Sequence, residues 1–167
     1  MRYLIGVGSN LGERAVTIGR AAELLADDGR SQVLAQAPFF ENPAVGPPGQ
    51  GPFLNTCWLV HSQYGPHGLL CRLQRAERLL GRVRTIPNWR RVIDLDLLLA
   101  EDLAPLASPV LSLPHPRMLA REFVMRPACQ IAGDWRHPRT GTSLRAAWTS
   151  TQTHNTTSQT PWPTTPC

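Results

Sequence analysis

Apolar and polar positions in the first third of the chain alternate in blocks that predict a strand, a helix and a second strand. Residues 3–7 predict a strand. An apolar stripe at helical spacing then predicts a helix over residues 12–28, which Gly29 ends. Residues 31–40 alternate in part and predict the second strand. Four prolines and three glycines within residues 42–52 predict an irregular loop after it.

The next part of the chain repeats this order. Residues 53–61 alternate and predict a strand, and Pro66 begins a predicted helix that Gly81 ends. Residues 82–91 are polar and arginine-rich and predict a loop, whereas residues 92–100 carry the strongest strand pattern. Residues 114–131 predict a turn and a short helix. The order β-α-β-β-α-β favours a ferredoxin-like α/β sandwich, with helices on one face of a mostly antiparallel sheet.

The composition changes near residue 146. Residues 146–167 are rich in Thr, Ser, Gln and Pro and contain no acidic residue, which predicts a disordered tail. Residues 1–145 are long enough for one folded domain with a substantial core. The apolar run in residues 1–8 is too short for a secretory leader, and no later stretch reaches membrane length without a charge or a proline. We therefore expect a soluble, cytoplasmic protein that binds no membrane.

The basic residues restrict the chemistry more than the net charge of +5 does. All 17 of them are arginine, so a lysine-dependent phosphate loop and a Schiff-base lysine mechanism are excluded. The four cysteines are scattered without a Cys-x-x-Cys pair, which argues against zinc and against a disulfide framework. Phosphate recognition must therefore use arginine, histidine, backbone amides or metal.

Two carboxylates stand out inside the strongest predicted strand. Because side chains alternate along a strand, Asp94 and Asp96 share one face while Leu95 points to the other. Two like charges at this spacing repel each other, and magnesium bound together with phosphates would compensate them. Alternatively, both carboxylates face solvent and pair with arginines.

The arginine-rich segment just before this strand adds a second candidate element. Arg82, Arg84, Arg90 and Arg91, with Trp89 among them, could bind a polyphosphate from the side opposite the two carboxylates. Such a segment is also typical of a solvated charge run or a nucleic-acid patch. The neighbouring acidic pair favours the phosphate interpretation, because carboxylates repel a nucleic-acid backbone.

Three further features are weaker. Phe53 and Asn55 share a strand face and would suit a flat heterocycle such as a pterin, although a core Phe and a turn Asn would look the same. His115, held between two prolines, is a candidate hydrogen-bond donor to phosphate, or else a structural residue. The glycines at positions 6, 8 and 12 do not have the spacing of a dinucleotide-binding fingerprint.

In this order and spacing, the motifs resemble the hydroxymethyl-dihydropterin pyrophosphokinase family over residues 3–144. The resemblance implies a ferredoxin-like fold and transfer of diphosphate from ATP to the pterin hydroxymethyl group, with release of AMP in folate biosynthesis. It further implies a monomer that binds no nucleic acid. The matching segments are residues 6–12, 42–46, 53–55, 74–77, 81–84, 93–98 and 114–117, with Arg121 and Phe123.

The same resemblance implies roles for individual residues. Asp94 and Asp96 would bind two magnesium ions that bridge the phosphates of ATP, and Arg82 and Arg91 would support transfer. The expected pterin-binding residues are Pro43, Val45, Gly46, Phe53, Asn55 and Phe123. The expected ATP-binding residues are Gln74, Glu77, Arg84, Trp89, His115 and Arg121.

One segment departs from the family pattern. Where the family commonly has Arg-Trp-Gly-Pro-Arg, this chain has Asn88-Trp89-Arg90-Arg91, which is one residue shorter. We expect ATP and pterin to bind and turnover to be slower. The departure leaves a non-catalytic pterin- or nucleotide-binding protein on the same fold as an alternative, and the arginine content leaves a nucleic-acid-binding module as a more distant one.

Overall fold

A computed structural model describes residues 1–44, 47–83 and 89–155, with side chains as far as residue 152. The strands are β1 (Arg2–Ser9), β2 (Ser31–Gln36), β3 (Phe40–Asn42), β4 (Phe53–Ser62), β5 (Asp94–Ala100), β6 (Leu106–Ala107) and β7 (Ser112–Leu113). The helices are α1 (Arg14–Ala26), α2 (Pro66–Leu79), α3 (Glu122–Ala132) and α4 (Leu144–Asn155).

The main sheet has the order β2-β4-β1-β5, and every pair in it is antiparallel. With α1 and α2 between the strands along the chain, this is the predicted ferredoxin-like βαββαβ arrangement. β1 is central, so Gly8 lies between Asn55 of β4 and Asp94 of β5. The sheet therefore brings residues from three distant parts of the sequence side by side.

The prediction of one unbroken strand over residues 31–40 was wrong. The chain forms β2 and then β3, and both pair with β4. Phe40 lies four residues after Gln36, whereas their partners in β4, Asn55 and Trp58, lie only three residues apart. Pro38 lies in this interval and has no N–H to donate to the ladder, which explains why the extra residue is accommodated there.

Helices α1 and α2 cover one face of the sheet. Alternate residues of the strands, including Tyr3, Ile5 and Leu97, pack there against Ile18 of α1 and Leu73 of α2. This is the amphipathic packing that the apolar stripes of both helices predict.

Helices α3 and α4 pack on the opposite face, so the expectation of helices on one face only was wrong. At one end of the sheet, the apolar residues Leu4 and Leu98 lie on this second face and pack against Met125 of α3. At the other end the same face carries glycines and carboxylates instead, which leaves a cleft between the sheet and the start of α3.

The tail predicted to be disordered from residue 146 is helical as far as Asn155. Leu144 is buried, and Ala147 and Trp148 pack against the core under α3. The hydroxyls of Thr149 and Thr151 donate to carbonyls of the preceding turn, which satisfies them within the helix. Residues 156–167 lie outside the described part. Among the described residues no helix has the length and apolarity needed to cross a membrane.

Candidate active site

The two carboxylates of β5 face the cleft, as the strand alternation predicts. Asp94 and Asp96 are partly exposed in the cleft, while Leu95 and Leu97 are buried on the opposite face. The alternation of the strand thus holds one pair of residues in the core and the other pair in the site.

Three arginines form ion pairs with these carboxylates. Arg82 and Arg91 bind the two oxygens of Asp94, at 2.5 Å to Oδ1 and 2.7 Å to Oδ2. Arg121 approaches Oδ2 of Asp96 at 3.5 Å. The arginine pairing that the sequence left open is therefore present, and it brings together the predicted phosphate-binding arginines and the predicted metal ligands.

The electrostatics of Asp96 favour a cation beside it. Burial, followed by the negative charge of Asp94, raises the pKa of Asp96 to about 6. A divalent ion or further arginines would relieve this repulsion. Within the described ranges no three His, Cys, Asp or Glu side chains form a metal-binding group. A magnesium ion at Asp94 and Asp96 would therefore need phosphate or water oxygens as its remaining ligands, which is how magnesium commonly binds nucleotides.

Two aromatic rings line the same cleft, which has a volume of about 400 Å³. The guanidinium of Arg91 lies 5.6 Å from the ring centre of Phe53, and that of Arg121 lies 5.5 Å from the ring centre of Phe123. Each arginine thus links an aromatic ring to a carboxylate. The cleft therefore joins a region suited to a flat ring with a region suited to phosphates and metal.

The floor of the aromatic region requires a glycine. A Cβ added at Gly8 would lie 2.8 Å from Oδ1 of Asn55 and 3.6 Å from Cδ1 of Phe53. Asn55 is buried, and its Nδ2 donates to Oδ1 of Asn42 at 2.5 Å. Gly8 therefore leaves space beside the side-chain amide of Asn55, whose orientation is fixed by its hydrogen bond to Asn42.

Glu77 lies beneath the cleft and does not line it. It is 3% exposed, and its Oε1 accepts the backbone N–H of Leu95 at 2.8 Å and forms an ion pair with Arg82. Burial alone would lower the pKa of Arg82, but Asp94 and Glu77 outweigh it and raise that pKa. Glu77 thus holds both β5 and Arg82 in place.

His115 is the next predicted phosphate-binding residue. It is half-buried beside the cleft. Its Nδ1 accepts the backbone N–H of Arg117 at 3.2 Å. Burial, then Arg121 and Arg117, lowers its pKa to about 4, so its ring is neutral near pH 7.

Three other predicted residues do not line the cleft. The backbone oxygen of Trp89 accepts a bond from Arg91 Nε at 3.1 Å. Gln74 is half-buried on α2 and Pro43 is exposed. Val45, Gly46 and Arg84 lie outside the described residues.

Several residues that the sequence analysis gave no role belong to the site. Asn42 and Arg117 line the cleft. Ser9 donates to the carbonyl of Val92 at 2.6 Å, and Asn10 contacts the backbone of Arg91. Ser9 and Asn10 directly follow Gly8, so their position in the glycine-rich motif was the available signal.

Sequence comparison gives consistent matches. The profile of the family described as 7,8-dihydro-6-hydroxymethylpterin-pyrophosphokinase (HPPK) matches residues 4–133. A 2-amino-4-hydroxy-6-hydroxymethyldihydropteridine pyrophosphokinase of Methylorubrum extorquens is 37% identical over 133 residues, which cover 80% of this chain and 84% of that protein. The folic acid synthesis protein fol1 of Pneumocystis carinii is 38% identical over 140 residues, and the chain spans only 19% of its length.

Solved structures support the fold independently. A crystal structure of an HPPK-DHPS protein in complex with substrates superposes with a TM-score of 0.70 at 11% identity, covering 94% of this chain and 44% of that one. The Plasmodium falciparum HPPK-DHPS with pteroate gives a TM-score of 0.72, also at 11% identity, covering 94% and 43%. At this identity the likeness concerns the fold.

Proposed function

The chain belongs to the 7,8-dihydro-6-hydroxymethylpterin-pyrophosphokinase family, and we propose that it transfers diphosphate from ATP to the hydroxymethyl group of 6-hydroxymethyl-7,8-dihydropterin. The products are AMP and the pterin diphosphate, in folate synthesis. One observation carries the proposal. Arg91 and Arg121 each connect an aromatic ring of the cleft to a carboxylate of β5.

The aromatic end of the cleft would bind the pterin. Phe53 and Phe123 would stack on its ring, and the amide of Asn55 would hydrogen-bond its edge. We assign Pro43, Val45 and Gly46, in the loop before β4, to the same substrate. These contacts would orient the hydroxymethyl group toward the carboxylate end.

The carboxylate end would bind the phosphates of ATP. Asp94 and Asp96 would hold two magnesium ions, which would neutralise the phosphate oxygens. Since Arg82 and Arg91 occupy both oxygens of Asp94 in the described structure, they would turn from Asp94 to the phosphates when the metal binds. We assign Gln74, Glu77, Arg84, Trp89, His115 and Arg121 to ATP, with Glu77 acting through Arg82 and β5.

The reaction then needs positioning and charge neutralisation more than covalent catalysis. The pterin hydroxyl oxygen forms a bond to the β-phosphorus and releases its proton to water, as the bond from that phosphorus to the α-phosphate oxygen breaks and AMP leaves. Arg82 and Arg91 would stabilise the negative charge that develops during transfer. We further propose that the protein acts as a cytoplasmic monomer.

Product identity tests the proposal. Phosphorus NMR of a reaction with Mg-ATP and hydroxymethyl-dihydropterin should show AMP together with a pterin diphosphate. ADP together with a pterin monophosphate would instead indicate an ordinary kinase. Pterin binding without either product would favour the non-catalytic binding protein. Binding of RNA without magnesium, steeply reduced by salt, would favour the nucleic-acid module.

A further inference from the structure

Asn10 lies between two segments that both reach the cleft. It directly follows β1 and is 6% exposed. Its Oδ1 accepts the backbone N–H of Arg91 at 2.7 Å. Its Nδ2 faces the carbonyl oxygen of Gly51 at 3.3 Å and Oε1 of Gln50 at 3.4 Å. The backbone N–H of Asn10 also donates to the carbonyl of Arg91 at 3.2 Å.

These contacts need an amide side chain. One side of Asn10 meets a donor and the other side meets two oxygens, so the residue must accept on one side and donate on the other. An aspartate of the same shape would keep the acceptor for Arg91 but would place an oxygen against the oxygens of Gly51 and Gln50. An alanine would remove both contacts. Because the site is buried, a lost partner is not readily replaced by water.

The two connected segments carry different parts of the cleft. On one side, Arg91 binds Asp94 and lies above the ring of Phe53. Its neighbour Val92 is fixed by the hydroxyl of Ser9. On the other side, residues 50–52 lead directly into Phe53 at the start of β4.

We propose that Asn10 is a positioning residue that fixes the backbone of Arg91 relative to residues 50–52, so that the phosphate-binding side chain of Arg91 extends from one fixed point beside the pterin-stacking ring of Phe53. This inference rests on the proposed function. Asn10 does not line the cleft, so it acts through its two neighbours.

Asn10→Asp and Asn10→Ala separate the two halves of the contact. Asn10→Asp should raise the pterin KM by about tenfold, the scale of one unmade buried hydrogen bond, and leave kcat within about twofold. Asn10→Ala should raise the KM similarly and also lower kcat by about tenfold, because the backbone N–H of Arg91 loses its side-chain acceptor. The amide of Arg91 should exchange with solvent faster in Asn10→Ala but not in Asn10→Asp.

Ser31→Ala is the matched control. It removes a buried hydrogen bond to Ser62, at 2.8 Å, near the far edge of the sheet. It should lower thermal stability without changing either kinetic constant. The proposal would be overturned if the kinetic changes in all three variants simply followed their losses of thermal stability. Unchanged exchange of the Arg91 amide in Asn10→Ala would also overturn it. If the wild-type protein released no AMP, the proposed function would fail, while the exchange of the Arg91 amide would still decide the role of Asn10.

Discussion

Replacing Glu77 with alanine is expected to destabilise the protein by about 3 kcal/mol. The backbone N–H of Leu95 would lose its acceptor in the core, which costs about 1–3 kcal/mol. Arg82, whose side chain is 11% exposed, would lose one of its two carboxylate partners and keep Asp94. The total therefore falls at the lower end of the roughly 3–5 kcal/mol for breaking a buried ion pair. The corresponding fall in Tm is about 6–12 °C.

Urea unfolding in magnesium-free buffer measures this loss directly. Glu77→Gln keeps an oxygen for the Leu95 N–H and should lose only about 1 kcal/mol. Glu23→Ala is the control, because Glu23 is exposed on α1 and its replacement should change stability by less than about 0.5 kcal/mol. A Glu77→Ala protein no less stable than Glu23→Ala would refute the account of Glu77 as the residue that fixes β5 and Arg82.

Three further predictions concern the cleft and its surroundings. Gly8→Ala should weaken pterin binding by about tenfold or more in a fluorescence titration, because its Cβ would crowd Asn55, whereas Gly19→Ala, with open space on α1, should leave binding unchanged. His115→Gln should make unfolding less sensitive to pH, because the lowered pKa of His115 makes the unfolded chain take up more protons than the folded one as pH falls from about 6.5 to 4. Between pH 7 and pH 5 the wild-type protein should lose about 1 kcal/mol more unfolding free energy than the variant, about half the full linkage value because His115 is only half-buried; an identical pH profile would contradict this. Asn88→Arg should raise turnover, and an unchanged rate would reject the hypothesis that Asn88 slows it.

The strand pattern predicted which side chains share a face of the sheet, because the alternation along a strand depends only on neighbouring residues. Alternation alone placed Asp94 and Asp96 on one face, and the same rule paired Phe53 with Asn55. Glu77 was assigned to ATP, although it is one helical turn after Leu73 on the apolar stripe of α2. A carboxylate at such a core position indicates a buried partner, which the structure shows to be Arg82.

Other features depend on contacts that no local pattern encodes. Asn10 bonds to residues about 40 and 81 positions away, so its role follows only from the strand order. The layer of α3 and α4 depends on apolar residues that appear on the second face of the sheet at one end only. Trp148 lies in a segment whose composition suggested disorder, but it is partly buried against the core cluster that includes α3, and this packing favours the helix.

The most direct test of the central claim is the release of AMP from Mg-ATP, with and without hydroxymethyl-dihydropterin, by the wild-type protein and by Asp96→Ala. Circular dichroism would first establish that the variant is folded. AMP release is expected to depend on the pterin in the wild-type protein and to be lost in the variant. Release without pterin, or full activity in Asp96→Ala, would contradict the assignment of Asp96 to the metal and phosphate site.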